Sequence, residues 1–303
     1  MYDSTDPRST MHKPAAAPAA PLAPAADAEY GLFYRDPPAQ DDANGRTWFA
    51  RGQNFIVAYS ELLPGATFDR SDQIDEFMVI LPDADTPMVA SAGAQEERSD
   101  GYAIAIMPPG QSRLSFPNGG RVVRLFSTRS RDLADLCSNA ANYAQPHANI
   151  PPFVPWPDPV GGFRIRIYSL DVPAEPGRLG RIWRCTTFMI NMPEVQIGKR
   201  DTSKLSPHFH NDFEQCSLAL AGTWTHYMRW PWTVDLKDWR EDVHAVVDSP
   251  SITVIPPPVV HTSVGSSEQN QLVDIFSPPR LDFSSKPGWV LNADEYPMPP
   301  QGD

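Results

Sequence analysis

PHFHNDFEQCSLALAG, residues 207–222, decides how this chain is read. Two histidines stand one residue apart, the acid–amide pair Glu214–Gln215 follows, and an apolar run then closes on Gly222. In an extended strand, residues i and i+2 point to the same side, about 7 Å apart along the backbone. His208 and His210 can then converge on one metal ion at about 2.1 Å each. Glu214 lies an even offset from His210, which keeps the face in an unbroken strand, and a carboxylate is the stronger ligand for a hard cation. A bulge or turn within residues 211–213 would instead bring Gln215 inward. Glu214 is the preferred fourth ligand and Gln215 the alternative. A further histidine, His261, follows the rigid turn VIPPPVVH (254–261).

Outward from this stretch, short apolar runs recur between Pro, Gly and Asp. NFIVAYSELLPG (54–65), EFMVILPD (76–83), GYAIAIMPPG (101–110) and RVVRLFS (121–127) read as strands in the first half. GFRIRIYSL (162–170), RIWRCTTFMINM (181–192), EQCSLALAGTWTHYMRW (214–230), SITVIPPP (251–258) and QLVDIFSPPR (271–280) do so in the second. The segment 129–144 has helical spacing, and the Pro- and Gly-rich 145–162 reads as a linker. The fold class is therefore all-β, of sandwich or barrel type. The halves also repeat one another in order. FDRSDQIDEFMVILPD (68–83) parallels PHFHNDFEQCSLALAG, AIMPPGQSRLSF (105–116) parallels VIPPPVVHTSVG (254–265), and RVVRLFSTR (121–129) parallels QLVDIFSPP (271–279). Two copies of one β-module follow. The expected division is a tether over 1–28, rich in Ala and Pro and without fixed structure, an N-terminal module over 29–144 and a C-terminal module over 145–303.

Here the residues resemble a known family. The pattern of His208, His210 and Glu214 closing on Gly222, with a proline-rich turn leading to His261, resembles the two metal-binding motifs of the cupin superfamily. The resemblance implies two double-stranded β-helix barrels, jelly-roll-like, a bicupin, with His208, His210, Glu214 and His261 as metal ligands. The sequence departs from the motif in lacking a glycine shortly before His208, in having Pro258 in the second turn and in a spacing from Glu214 to Gly222 one residue too long, so that alignment on Gly222 makes Gln215 the ligand position. At the matching places the first half has Asp69, Ser71, Glu76 and Arg113, and arginine cannot ligate a cation. The N-terminal barrel is thus expected to hold no metal, with an Arg113 ion pair to Asp69 or Glu76 filling the site. The resemblance further implies a homodimer.

The chain has 303 residues, 25 basic against 37 acidic, a formal charge of −12. An acidic chain without a basic run excludes nucleic acid and anionic membrane as natural partners. No apolar stretch reaches the roughly 18 residues of a membrane helix. Cys137, Cys185 and Cys216 are widely spaced and odd in number, as buried free thiols of a cytoplasmic protein would be. The expected cofactor is one divalent ion per chain, Fe(II) first, with Mn, Zn or Ni as alternatives. Trp224, His226, Tyr227 and Arg229, on the next strand, are the substrate-pocket candidates. The expected function is that of a metal-dependent enzyme on a small oxygenated or aromatic substrate, of non-haem Fe(II) dioxygenase type. Mn/Zn/Ni isomerase, decarboxylase or lyase chemistry, or non-catalytic binding of a small molecule, are the alternatives.

Overall fold

The computed structural model describes residues 24–300. It is nearly all β, and every pairing between its strands is antiparallel. The N-terminal half builds a large sheet in the order Arg166–Ser169, Ala103–Met107, Phe77–Leu81, Gly120–Ser127, Phe55–Leu62, Gly45–Arg51, Gln40–Asp42. A four-stranded sheet of Ala66–Gln73, Gly110–Phe116, Met88–Ala92 and Gln95–Ser99 closes over one of its faces. The C-terminal half repeats the plan. Its large sheet runs Glu29–Gly31, Ser251–Ile255, Glu214–Ala221, Gln269–Ser277, Met189–Asn191, Ile182–Arg184, and Gln196–Ile197 also pairs with Gln269–Ser277. Its small sheet is Val243–Val247, Trp224–Arg229 and Val260–Gly265.

Strand alternation gives each large sheet two different faces. Val57, Tyr59, Met78, Ile80, Val123 and Leu125 point from the N-terminal sheet into a core that they share with Cys216, Leu218, Ile252, Val254, Val273 and Ile275 of the other. The two large sheets therefore pack back to back, and one apolar core serves both halves. The opposite face of the N-terminal sheet, with Ala58, Phe77, Val79 and Phe126, fills its own barrel against Ala66, Met88, Leu114 and Phe116 of the small sheet. Phe77 and Phe126 stack there with centroids 4.9 Å apart.

The halves also exchange edge strands across the expected division at 144/145. Glu29–Gly31 pairs with Ser251–Ile255, and Arg166–Ser169 pairs with Ala103–Met107. The expected tether meets the C-terminal half at its end. Ala25 and Ala26 are buried, the Trp230 indole donates to the Ala26 carbonyl at 3.0 Å, and Arg240 donates to the Ala25 carbonyl. Captured carbonyls hold residues 24–28 in place, while 1–23 lie outside the described residues. The helical spacing of 129–144 yields only Arg131–Ala134 and a 3-10 turn at Ala140–Tyr143. Cys137, Cys185 and Cys216 are free and buried, and burial pushes the first two thiols up to about 12. Among the described residues no helix is long and apolar enough to cross a membrane.

Candidate metal centre

The small sheet delivers one histidine and the chain crossing beside it delivers two. His208 and His261 pair backbone to backbone, His208 N donating to His261 O at 3.1 Å and His261 N to His208 O at 2.8 Å. His210 follows two residues later. The three rings lie 4.5–5.2 Å apart, and their metal-ligating nitrogens fall within 4.8 Å of one another. His210 and His261 are buried and His208 is half-buried.

Two of these rings have an assigned tautomer. His208 Nδ1 lies 2.8 Å from the Ser206 carbonyl and His261 Nδ1 lies 3.0 Å from the Val259 carbonyl. A carbonyl only accepts, so in each neutral ring Nδ1 carries the proton and Nε2 presents a lone pair. Backbone carbonyls that orient ligand imidazoles in this way are usual around protein-bound metals. Burial holds His210 well below the ordinary histidine range, helped by Arg280 and by the other two histidines.

Gln215, and not Glu214, joins the cluster. Its Oε1 lies 2.9 Å from His210 Nε2 and 3.3 Å from His261 Nε2, while its amide nitrogen donates to Asp274 at 3.2 Å. The preference for Glu214 is corrected by the backbone. Residues 211 and 212 form a bend, so the even-offset rule does not carry from His210 into Glu214–Ala221. Glu214 points to the other side of the large sheet, with Cys216 and Leu218, and accepts from Gln53 N at 2.8 Å. Burial pushes its carboxyl up to about 7, against the pull of the Gln53 and Asn54 amides. Gly52 makes room for it, because a Cβ there would stand 2.3 Å from the carboxylate. Glu76 makes the reciprocal crossing, accepting from Thr186 Oγ1 and the Tyr296 hydroxyl, both at 2.9 Å. The two carboxylates thus staple the halves together.

The donor set fits a divalent cation. His261 Nε2 and Gln215 Oε1 face each other at 3.3 Å with lone pairs on both sides, an arrangement that a cation between them makes favourable. Imidazole nitrogens with an amide oxygen suit Zn, Mn, Fe, Co or Ni alike.

The pocket candidates divide by strand face. His226 points into the barrel, 1% exposed, with Nδ1 2.8 Å from Ser263 Oγ and a buried Nε2 that has no hydrogen-bond partner. Burial, and then His261, lowers it to about 3, so it is neutral. Trp224 is also buried, but its indole donates to Ala221 O and its ring packs on Ala219 and Val247, a structural role. Tyr227 and Arg229 face outward, contrary to a place beside the metal. They line a surface groove of about 280 Å³ with Asp242 and His244, and Arg229 pairs with Asp242. Several inward residues were not singled out from the sequence. Ser217 and Asp274 back the Gln215 amide, and Thr253 and Asn191 bring further buried oxygens that lack a partner. An aspartate inside the apolar run QLVDIF was the available signal. Arg280 stacks on Phe283 at 3.4 Å and brings a positive charge near His210.

In the N-terminal half the expected ion pair forms, with Arg113 Nη1 3.1 Å from Asp69, but on the outside, where the side chains are 54% and 62% exposed. Strand alternation with the inward Leu114 and Phe116 puts Ser112 inward and Arg113 out, with Arg70 across from Ser112. Phe77 and Phe126, and not an ion pair, fill the barrel.

No family model matches the sequence, and no curated protein matches it. Solved structures do match the fold. An IolB-like protein from Salmonella typhimurium superposes with a TM-score of 0.51 at 9% identity, over 81% of this chain and 92% of the other. Oxalate decarboxylase from Bacillus subtilis does so with 0.50 at 11% identity, over 91% and 85%. The chain has the cupin fold. AerE from Microcystis aeruginosa is a further match, 0.50 at 11% identity over 76% and 91%. In cupin terms, both halves are barrels and the histidine cluster sits in the C-terminal one, where Gly222, at φ +86°, turns the chain between Glu214–Ala221 and Trp224–Arg229.

Proposed function

We propose that the C-terminal cupin barrel holds one divalent ion on His208, His210 and His261, with Gln215 Oε1 beside it, and acts on a small anionic oxygen-donor substrate. The observation that carries this reading is the meeting of three imidazoles, their candidate ligand nitrogens within 4.8 Å of one another, with Gln215 Oε1 3.3 Å from the lone pair of His261 Nε2. Every donor is neutral, so the ion's charge is left for the substrate, which favours a carboxylate or enolate. Fe(II) would supply neighbouring positions for a substrate oxygen and O2, and Mn, Zn or Ni would supply a Lewis acid. We take non-haem dioxygenase chemistry with Fe(II) as the first reading. The protein's own part is positional. The Ser206 and Val259 carbonyls fix two rings, and Asp274 turns the Gln215 amide so that its oxygen faces the histidines. His226 Nε2, buried and unpaired, is placed to hydrogen-bond a substrate as a neutral imidazole. Arg280 favours an anion near His210.

Likeness to oxalate decarboxylase supports a second reading, decarboxylation with Mn, since the Bacillus subtilis enzyme has Mn(II) centres. Metal analysis of protein purified without chelator is the first test, with about one ion per chain expected. Protein that contains no ion and takes up none of Fe(II), Mn or Zn overturns the metal reading. Oxygen uptake with catechols, β-diketones and hydroxy-aromatic acids then tests the dioxygenase. Carbon dioxide release without oxygen uptake favours the decarboxylase.

A further inference from the structure

Trp224–Arg229 and Val243–Val247 of the small C-terminal sheet are joined by a loop that turns apolar side chains outward. Trp232 is 72% exposed and Val234 88%, and Leu236 and Trp239 are exposed beside them. The Trp232 and Trp239 rings lie parallel, with centroids 4.3 Å apart. Trp239 is held by its indole, which donates to the Thr233 carbonyl at 3.0 Å. With Trp230, Leu236 and Arg240 the two rings line a groove of about 750 Å³. Exposed apolar side chains scattered singly need no explanation, but a contiguous cluster marks an interaction surface.

The lining of this groove already holds the start of the described chain. Trp230 donates its indole N–H to the Ala26 carbonyl at 3.0 Å. Arg240 donates to the Ala25 carbonyl at 2.8 Å and pairs with Asp27 at 2.7 Å. Both side chains belong to the groove, and the Arg240 guanidinium lies 5.6 Å from the Trp230 ring. Ala25 and Ala26 are buried. Pro24, whose carbonyl accepts from Asn149, is the first described residue. Residues 1–23 therefore join the protein beside the groove.

Their sequence has the chemistry of an occupant. Pro18, Pro21 and Pro24 recur at every third residue, with Leu22 and alanines between them. Three residues make one turn of a polyproline II helix, so the three proline rings would share one edge of it. Such a helix leaves its carbonyls free for donors, and proline-rich segments dock in aromatic-lined grooves. Trp230 and Arg240 already donate to two carbonyls of the adjoining stretch in this way. From Pro18 to Pro24 such a segment spans about 19 Å, or two turns.

We propose that the groove is a docking site for the chain's own residues 18–23, bound as a polyproline-type segment with Pro18 and Pro21 against Trp232 and Trp239. The N-terminal segment then straps the outer loop of the barrel that carries the histidines.

The test reads both sides of the contact in the full chain. Elastase cleavage after the alanines of residues 15–20, followed by mass spectrometry, reads the segment. Trp232→Ala and Trp232→Ala/Trp239→Ala, both at the surface, are expected to speed it about tenfold, at a rate independent of protein concentration. Acrylamide quenching of tryptophan fluorescence reads the groove. Pro18→Ala/Pro21→Ala is expected to raise the quenching in the wild-type background and to leave it unchanged in the Trp232→Ala/Trp239→Ala background. Cleavage equally fast in wild type and groove variants, or quenching indifferent to the prolines, overturns the proposal. So does protection that grows with protein concentration together with a sedimenting dimer that the groove variants dissociate, since a second copy is then the occupant.

Discussion

The two barrels hold the same register and differ in what faces inward. Leu125 pairs with Met78 in one large sheet, and Ile275 pairs with Cys216 in the other. With Leu125 matched to Ile275, Phe77 falls at Gln215, Val79 at Ser217 and Arg124 at Asp274. In the N-terminal barrel the first two pack an apolar core around stacked rings. In the C-terminal barrel their counterparts form a polar row that ends at the histidines. A polar interior forgoes much of the apolar burial that stabilises a small barrel. The C-terminal barrel tolerates this because the back of its large sheet is buried in the core shared with its neighbour. Of two similar modules, one contributes packing and the other is free to carry a metal centre.

The comparison can be broken at several points. Phe126→Ala should cost about 3–5 kcal/mol in denaturant unfolding, as for other large-to-small core changes, without altering metal stoichiometry. A change in metal content would mean that the barrels are not separable in this way. His261→Ala should weaken binding of an added divalent ion at least ~100-fold with a smaller change in stability.

Glu214→Gln separates the two faces of one strand. The folded carboxyl, at about 7, lies above its ordinary value of 4.5. As pH rises from about 4.5 to 7 the unfolded chain gives up a proton that the native state keeps, so stability falls across that window and levels off above it. The variant should remove this slope, worth on the order of 3 kcal/mol, and leave metal affinity unchanged. Loss of metal on this substitution would return Glu214 to the centre. Gln215→Ala should weaken the metal about tenfold with little pH effect. Arg113→Ala, at an exposed ion pair, should stay within about 0.5 kcal/mol and leave metal content as it was.

Much of this was legible in the chain. Apolar runs between Pro and Gly mark most strands of the two large sheets, and their ordered recurrence marks two modules. The spacing of His208 and His210, with His261 after a proline turn, marks a cluster. Short or polar strands such as Glu29–Gly31 and Gln95–Ser99 have too little periodicity to show. Glu214 takes the face away from the histidines because the bend at 211–212 breaks the alternation, and Arg113 faces outward because it alternates with the inward Leu114. Tyr227 and Arg229 could not be told from His226 until the small sheet had an inside.

The sequence alone determined the class of fold, its duplication and which half carries histidines, because these depend on local pattern and residue type. Tertiary structure decided that Gln215 faces the histidines, that Glu214 and Glu76 cross between halves, that edge strands are exchanged and that Arg124 is buried with no ion pair among the described residues. Each of those depends on what stands on the opposite wall, and a chain read in one dimension has no opposite wall.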